Sequence, residues 1–523
     1  MESVVDHDIV VVDEFDALSI EVKTSAEPVE SVVSVAPIPT KFPAKLHARK
    51  VAAELNASDG LVFLPGEPSR SYEDSDMGPT FRQRRYFYYL SGANFADCAV
   101  TYELASDRLI LWIPYVEPRQ VLWFGSTPGI AECLRRFDVD DVRYTTQLNK
   151  FLYRHLSPGS TLYVLHADQV PLHGDFYQAA ADVRIDLTSL QTAADQARVV
   201  KTEYEVAMIR KAAAVSAAAH RRVAERMLKL GNESEIEAIF QAWCTTAGAR
   251  EQAYAIIAGS GKNASTLHYD ANDEPLEGRE LVVFDAGCEW QCYASDITRT
   301  LPIAGRFSAE AQAVYDVVAR MQDECIDLIR PGTLFFDLHV HASRVAQEGL
   351  FKLGVLRGDP TEVWDAGTVA AFFPHGLGHH VGLEVHDVSG RERLLLLNNA
   401  TGGRVGKREI VTPEMMGAMA QAGVVGAGAA SGPPPYRARQ YLRKNMIVTV
   451  EPGIYFCREY IEGYFLSNPR HARFINKTVL ERYYRVGGVR IEDDILVTDD
   501  GYENLSTGAP KGEELLRVIN GKV

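Results

Sequence analysis

The residues of this chain that are best suited to chemistry are histidines and acidic side chains set among glycines and apolar residues. The densest group is the stretch 373–387, FPHGLGHHVGLEVHD, which contains four histidines. His375 and His379 have the spacing that aims two side chains from one helix face, but Gly376 and Gly378 would each cost about 1 kcal/mol in a helix interior. We therefore expect a glycine-shaped loop or strand end, in which the backbone can approach an ion or ligand closely.

Four carboxylates elsewhere in the chain lie in apolar, strand-like runs. Asp285 ends one run and Asp296 begins the next, so a hairpin would bring both carboxylates to its mouth. Glu451 ends a third run, and Glu492 follows Arg490 by two residues, so those two side chains point the same way from a strand. Each carboxylate alone is compatible with a strand end that reaches water. Because carboxylates in apolar strands are costly unless they are paired or bind metal, the four together predict a metal site shared with the histidine loop.

This set of donors indicates a particular metal chemistry. Four carboxylates and one imidazole suit two divalent ions about 3.5–4 Å apart that hold a water or hydroxide between them. Oxygen-rich ligation favours Mn²⁺ or another hard-to-borderline ion over a thiolate zinc site. Such a site hydrolyses amides, because the ions acidify the water and hold the carbonyl oxygen while nearby imidazoles donate protons.

The elements that must position these residues begin with an N-terminal tail and an α/β domain. Residues 1–42 are acidic and rich in Ser, Val and Pro, which predicts a disordered tail. Over 43–190, we expect strands at 60–64, 86–90, 108–113, 121–124 and 162–165, with helices near the start and near 130–137. Strands that alternate with helices predict a compact domain with a partly parallel sheet.

The remaining residues, 191–523, repeat one order of elements. Thr202 and Glu205 form a capping box ahead of a helix that ends at Gly231, and a second helix follows at 233–244. We expect strands at 255–257, 281–285, 292–300, 446–451 and 489–492, and helices at 309–329 and 337–353. Two helices followed by carboxylate-bearing strands, twice over, indicate a duplication that places acidic strands face to face. The Gly/Ala-rich segment 388–435 is expected to be a lid or an insertion.

Six ordered motifs between about 200 and 510 resemble those of the aminopeptidase P and prolidase family of dinuclear metallopeptidases. They are DAG at 285–287, SDITRT at 295–300, HGLGH at 375–379, VHD at 385–387, EPGIY at 451–455 and GVRIED at 488–493, and NASTLHY at 263–269 fits as well. The resemblance implies an α/β N-terminal domain of the aminopeptidase P type. It also implies an α+β catalytic domain of the pita-bread fold, built from two pseudo-symmetric halves.

By motif position, the resemblance implies five metal ligands: Asp285, Asp296, His379, Glu451 and Glu492. Asp296 and Glu492 would bridge the two ions, and Glu451 would also accept the proton of the attacking water. His268 and His386 match the family's substrate-binding and proton-transferring histidines. His380 is expected to be a packing or solvated residue rather than a sixth ligand.

Three further residues are implied in substrate binding. His375 lies where the family has a histidine that lines the proline pocket, and Arg490 would orient the ligand carboxylates. Arg437 lies about where prolidases have an arginine for the terminal carboxylate of the substrate. The alternative for Arg437 is that it only solvates the end of the proline-rich segment 433–435.

The resemblance implies a metal-dependent exopeptidase that releases an N-terminal amino acid linked to a penultimate proline, by a hydroxide bridging two Mn²⁺ ions. The bond before proline is an amide without an N–H donor and with a restricted neighbour, so a metal site with a pocket for the ring suits it. One alternative is an Xaa-Pro dipeptidase (prolidase) restricted to dipeptides. Another is a non-catalytic binding module on the same fold, although relatives of that kind lack the full ligand set.

Composition narrows the partners and the location. A formal net charge of −16 over 523 residues argues against nucleic acid as the main partner, because phosphate binding needs a basic face. No apolar run approaches the roughly 18–20 residues of a membrane span, and the acidic start lacks the layout of a secretory signal. Seven scattered cysteines do not indicate a disulfide framework. We expect a cytoplasmic homodimer that acts on peptides, without nucleic-acid or membrane partners.

Overall fold

The computed structural model describes residues 41–156, 159–171, 183–395 and 439–522, and the helices, strands and contacts of the protein are given for these ranges. The expected disordered tail, 1–42, lies outside them except for its last two residues. Arg437 and most of the segment 388–435 also lie outside them. Helices and strands are numbered in chain order over the described residues.

The N-terminal region is built on a six-stranded mixed sheet. Its helices are α1 (Ala44–Leu55), α2 (Arg85–Ser91), α3 (Pro118–Phe124), α4 (Ile130–Arg136), α5 (Leu148–His155) and α6 (Ser189–Val199). Its strands are β1 (Leu61–Pro65), β2 (Ala99–Glu103), β3 (Arg108–Ile113), β4 (Asp141–Tyr144), β5 (Thr161–Tyr163) and β6 (Arg184–Asp186). The strand order is β4-β3-β2-β1-β5-β6, with β1–β2 and β2–β3 antiparallel and the other pairs parallel. The prediction of a partly parallel sheet is confirmed.

Two runs that were predicted as strands are helical. The run 86–90 (YFYYL) lies in α2, and the run 121–124 (VLWF) ends α3. Aromatic and β-branched residues favour strands, which explains the prediction. In the structure, residues 87–90 are all buried, so the run lacks the alternation of buried and exposed side chains by which a strand is recognised. Helix α3 begins at Pro118, a residue that is favoured in the first turn of a helix, and a capping box joins Glu117 and Gln120.

The C-terminal region, 200–522, has helices α7 (Glu203–Arg226), α8 (Glu233–Thr246), α9 (Ala309–Asp327), α10 (Phe335–Lys352), α11 (Pro360–Ala366), α12 (Arg458–Tyr460), α13 (Pro469–Ala472), α14 (Lys477–Tyr483) and α15 (Gly512–Ile519). Its strands are β7 (Ile257–Ser260), β8 (Leu281–Asp285), β9 (Glu289–Trp290), β10 (Tyr293–Ala294), β11 (Thr298–Pro302), β12 (Ile447–Val450), β13 (Gly453–Tyr455), β14 (Gly488–Arg490), β15 (Asp493–Val497) and β16 (Tyr502–Asn504). The expected strand 292–300 is therefore interrupted between β10 and β11.

The long helix α7 shows how local sequence sets an element. The Thr202 N–H donates to the Glu205 carboxylate at 2.8 Å, and the Glu205 N–H donates back to the Thr202 hydroxyl at 3.4 Å. This reciprocal pair satisfies backbone groups that the first turn leaves free, and it confirms the predicted capping box. The α-helix ends at Arg226, one short turn before the predicted stop at Gly231.

The two halves of the C-terminal region meet at their acidic strands. One half contains the antiparallel sheet β11-β8-β7, and the other contains the antiparallel sheet β12-β15-β16 with the pair β13–β14. The Glu492 N–H donates to the Thr298 carbonyl at 3.1 Å, which joins one half to the other. The expected two-half catalytic fold is confirmed, and the junction carries carboxylates from both halves.

Residues Thr40–Val523 form one compact unit. The boundary near 190 between an N-terminal and a catalytic domain therefore stays a prediction. Among the described residues, none of the helices combines the length and the apolar composition that crossing a bilayer requires.

Candidate metal centre

The first pair of predicted ligands lies at the mouth of the hairpin formed by β8 and β11, as the sequence predicted. Asp285 is paired in register with Thr298, and Asp296 precedes β11. The Tyr254 hydroxyl lies 2.6 Å from Asp285 Oδ1 and 2.5 Å from Asp296 Oδ1. Since a tyrosine hydroxyl has one proton to donate, the two carboxylates share a single donor and face each other closely.

The other half contributes Glu451 and Glu492. Glu492 is 1% exposed, and its Oε2 accepts a hydrogen bond from the Thr298 hydroxyl at 2.7 Å. Its Oε1 is buried without a hydrogen-bond partner. Glu451 follows β12 and accepts a hydrogen bond from the Thr449 hydroxyl at 3.3 Å. A buried carboxylate oxygen without a partner is costly, so the position beside Glu492 Oε1 is suited to an added cation.

His379 lies between the two halves. Its Nε2 is 3.4 Å from Asp296 Oδ2 and 3.2 Å from Glu451 Oε1. Its Nδ1 is 3.0 Å from the His380 carbonyl, which can only accept, so Nδ1 carries the proton that is donated there. A hydrogen bond from Nδ1 to a backbone carbonyl leaves Nε2 free to bind a metal ion when the ring is neutral.

The backbone around His379 requires glycine, as the loop prediction stated. A Cβ on Gly378 would lie 2.0 Å from the Thr449 carbonyl oxygen. The Thr449 N–H donates to the His379 carbonyl at 2.9 Å, so β12 lies directly beside the loop. The stretch 373–387 contains no helix, and its glycines permit this close approach.

The structure brings all five predicted metal ligands together. Their donor atoms fall into three overlapping groups, each with atoms within 4.8 Å of one another: Asp285, Asp296 and Glu492; His379, Glu451 and Glu492; and Asp296, His379 and His386. Along the sequence, these residues extend over more than 200 positions, from Asp285 to Glu492. Their convergence is the arrangement that the sequence analysis required of a shared site.

The electrostatics of the cluster indicate a missing positive charge. Burial, with the neighbouring Asp285 carboxylate, raises the pKa of Asp296 to about 6, and burial with Asp296 raises that of Glu492 well above its ordinary value. Burial disfavours a charged imidazole, but the hydrogen bonds to Asp296 and Glu451 raise the pKa of His379 to about 10. The shifts share one cause, which is that the clustered acids favour added positive charge, so the residues present fit a divalent metal site.

Arg490 contacts the cluster through its guanidinium and is also part of the cavity lining. Its guanidinium donates to Asp285 Oδ2 at 2.7 Å, to the Tyr455 hydroxyl at 3.0 Å and to the Thr298 hydroxyl at 3.2 Å. Arg490 is 3% exposed. The structure therefore places it against a predicted ligand carboxylate, where the sequence analysis expected it to orient such groups.

A cavity of about 560 Å³ opens over the cluster, and its lining includes the three other predicted histidines, His268, His375 and His386. The His375 Nε2 is 2.9 Å from the Tyr455 hydroxyl, and its Nδ1 is 2.8 Å from the Gly376 carbonyl. His268 and His386 are exposed in the cavity, and the His386 ring centre is 4.2 Å from that of His379. Arg437 lies outside the described residues.

Several site residues were not anticipated from the sequence. Tyr254 carries no motif, and nothing in the sequence marks it as the shared donor. Asp494 is 0% exposed and accepts a hydrogen bond from the Asp296 N–H at 3.0 Å; its position in an apolar run was a usable signal.

His380 is buried, 2.5 Å from the Gln440 side-chain oxygen, and burial lowers its pKa to about 4. His380 is thus a packing residue.

Comparison with known proteins connects this geometry to a family. Residues 207–499 match the model of "Metallopeptidase family M24", and residues 45–163 match that of "Aminopeptidase P, N-terminal domain". A protein of Colletotrichum graminicola named "Probable Xaa-Pro aminopeptidase" is 88% identical over 100% of both chains. A protein of the same name from Metarhizium acridum is 57% identical and covers 98% of this chain and 99% of its own.

Solved structures of Escherichia coli aminopeptidase P are similar over both regions. The low-pH form has a TM-score of 0.72 and 25% identity, covering 92% of this chain and 99% of the bacterial chain. A zinc-substituted form in complex with product has a TM-score of 0.71, with the same identity and coverage.

Proposed function

Because the chain belongs to metallopeptidase family M24, we propose that it is a metal-dependent Xaa-Pro aminopeptidase, which releases the N-terminal amino acid linked to a penultimate proline. The observation that carries the proposal is the convergence of the five predicted ligands beneath a cavity lined by histidines. The names of the full-length relatives and of the bacterial structures support the choice of substrate.

The five clustered side chains, Asp285, Asp296, His379, Glu451 and Glu492, would hold two Mn²⁺ ions; Asp296 and Glu492 each belong to two of the three donor groups. The oxygen-rich donor set and the partnerless Oε1 of Glu492 support this part of the proposal. When bound, the metal ions supply Lewis acidity, which makes a water nucleophilic at neutral pH and polarises the scissile carbonyl.

Glu451 is our proposed proton acceptor. Burial opposes its ionisation, but the contact with His379 lowers its pKa to about 2, so it is a carboxylate at neutral pH. It takes a proton from the attacking water and can return that proton to the proline nitrogen, which must leave as a secondary amine. His268 and His386, both at the cavity wall, are placed to donate hydrogen bonds to the substrate carbonyl as it gains negative charge.

His375 is our proposed wall for the proline ring. Burial lowers its pKa, so the imidazole is neutral at physiological pH. Both of its ring nitrogens are within hydrogen-bond distance of protein groups, the Gly376 carbonyl and the Tyr455 hydroxyl. The ring is therefore fixed in orientation, and as part of the cavity lining it would contact a residue that offers no N–H of its own.

The direct test compares three peptides with the purified full-length protein: an Xaa-Pro-Pro tripeptide, an Xaa-Pro dipeptide, and an Xaa-Ala-Pro control. We expect release of the first residue from the tripeptide with Mn²⁺ loaded, loss of turnover after chelation, and little cleavage of the alanine control. Turnover of the dipeptide alone would favour the prolidase alternative. Absence of turnover with Mn²⁺ loaded would favour a non-catalytic binding module and would overturn the proposal.

The Arg437→Ala variant tests the prolidase alternative more finely. An arginine that binds the terminal carboxylate acts mainly on dipeptides, whose carboxylate lies next to the scissile bond. We expect dipeptide hydrolysis to fall more than tripeptide hydrolysis, by about tenfold in kcat/KM. The exposed Arg443 provides a control, Arg443→Ala. Equal losses on both substrates would remove Arg437 from the site.

We further propose that the protein is a cytoplasmic homodimer. This proposal rests on the seven free cysteines, since free thiols are typical of a reducing compartment, and on the resemblance to the family. Light scattering of the purified chain tests the dimer, and fractionation of cells that express it tests the location. A monomer in solution, or recovery outside the cytoplasm, would contradict the respective part.

A further inference from the structure

Glu233 is a fully buried carboxylate outside the metal cluster. It is the first residue of α8 and is 0% exposed. A buried carboxylate is costly unless hydrogen bonds and cations compensate it. Its carboxylate oxygens accept hydrogen bonds from six groups: the Ser260 N–H (2.7 Å), the Ser260 hydroxyl (2.6 Å), the Asn263 amide (3.3 Å), the Tyr269 hydroxyl (2.8 Å), the Glu274 N–H (3.1 Å) and the Arg279 guanidinium (3.4 Å).

All of these donors come from one segment, 260–279, and that segment carries His268. Tyr269 is the next residue after His268, and Ser260 and Asn263 precede it. The part from 266 to 280 contains no helix or strand, so few backbone hydrogen bonds define its shape. The Glu233 N–H also donates, to the Glu274 carbonyl at 3.1 Å. The first turn of α8 therefore grips this segment on both sides of His268.

We propose that Glu233 is a positioning residue for His268: its carboxylate holds the segment that presents the imidazole to the cavity. Glu233 itself does not line the cavity, so it acts through the segment. The inference rests on the proposed function, in which His268 contacts the substrate. Displacement of a catalytic group by about 1 Å can cost about 100-fold in rate, so an anchor of this kind affects catalysis without touching the substrate.

Arg279 completes the anchor. Its Nη1 donates to the Ser260 hydroxyl at 2.8 Å as well as to Glu233, and its Nη2 donates to the Glu274 carboxylate at 2.8 Å. A neutral amide at position 233 would lose the ionic contact with Arg279. It would also turn an N–H₂ group toward Ser260 or Tyr269, which now donate to the carboxylate. The Glu233→Gln variant therefore loosens the segment while preserving side-chain size.

The experiment compares Glu233→Gln and Tyr269→Phe with two matched controls. Glu205→Gln changes another buried glutamate in the first turn of a helix, and Tyr502→Phe removes a hydroxyl that donates to Asp327 at 2.9 Å. We expect Glu233→Gln to lower kcat/KM for the tripeptide by about 100-fold and Tyr269→Phe by about tenfold. Bound metal should be unchanged in both, and the controls should retain kcat/KM.

A double-mutant comparison separates positioning from general stability. In a His268→Ala background, each variant should lower kcat/KM by less than about twofold, because the group that the anchor positions is gone. Full additivity with His268→Ala would overturn the inference, as would wild-type kcat/KM in Tyr269→Phe. If Glu233→Gln does not fold, Tyr269→Phe carries the test.

Hydrogen exchange keeps the inference distinct from the proposed function. If the wild-type protein cleaves no Xaa-Pro peptide, the proposed function fails. The anchor is then tested by amide exchange over 266–274, which should be faster in Tyr269→Phe than in Tyr502→Phe. Equal exchange in the two variants would overturn the anchor itself.

Discussion

Two groups of buried carboxylates, the acids of the ion pairs and the acids of the metal cluster, differ in the charges that surround them. In the ion pairs, each acid meets cations of the chain. Asp387 Oδ1 accepts from Arg198 at 2.6 Å and its Oδ2 accepts from Lys201 at 3.1 Å, while Asp493 accepts from Arg299 at 2.7 Å. In the cluster, the acids chiefly face one another.

The pKa values reflect this difference. Burial alone would raise the pKa of every buried acid, but Arg299 and Lys511 lower that of Asp493 to about 2. In the cluster, burial and neighbouring acids both act upward on Asp296 and Glu492. The comparison shows that the chain neutralises the acids that hold the fold, and that it leaves the cluster short of positive charge. Such a deficit is what a site for added cations requires.

The largest effect that would sharpen this comparison is expected for Asp296→Ala. Removal of a shared ligand should abolish metal loading and lower kcat/KM by at least about 10⁴-fold. The fold should persist, because the change removes a carboxylate that its neighbours repel. Metal analysis, kinetics and circular dichroism would check these outcomes. Full activity in this variant would contradict the ligand assignment.

In the ion-pair region, Asp493→Ala should behave in the opposite way. It leaves the buried Arg299 without its carboxylate partner, and a broken buried pair costs about 3–5 kcal/mol in the free energy of unfolding. Denaturant unfolding of the metal-free variant and of metal-free Asp296→Ala provides the measurement. The comparison breaks if both variants lose the same stability.

Metal addition should stabilise the protein only when the carboxylate cluster is intact. A ligand that binds only the folded state adds about 2.7 kcal/mol at one hundred times its Kd. We therefore expect Mn²⁺ to raise the Tm of the chelator-treated wild type and to leave that of Asp296→Ala unchanged. An equal rise in both proteins would indicate that Mn²⁺ binds elsewhere.

The smallest expected effect is on the pH dependence of the metal-free protein. The pKa of Asp296 is raised to about 6, above the value of about 3.9 in an unfolded chain. Its contribution to stability is therefore fully present below pH about 4 and is lost as the pH rises through about 6. Asp493, with its lowered pKa, contributes above pH about 4 and loses that contribution as the pH falls through about 2. In chelator, the wild type should lose stability relative to Asp296→Asn between pH 4 and 7, and parallel profiles would contradict this.

Much of the candidate site could be predicted because its chemistry is local in sequence. An acid at the end of an apolar run is visible without coordinates, as are the glycines beside His379. Helix caps were equally visible, since the reciprocal bonds of Thr202 and Glu205 span one turn. The run 86–90 was misassigned because aromatic residues favour strands and because a short apolar run has the same pattern in a buried helix as in a buried strand.

The sequence by itself determined the kinds of donor, their order along the chain and the turns that place them at strand ends, because these depend on neighbours within a few residues. Only the tertiary structure decided that Tyr254 would serve two acids, that Arg490 would brace Asp285, and that Glu233 would grip the segment of His268. These contacts join residues 27 to 205 positions apart. Their partners are chosen by the packing of whole sheets and helices, and local spacing carries no record of that choice.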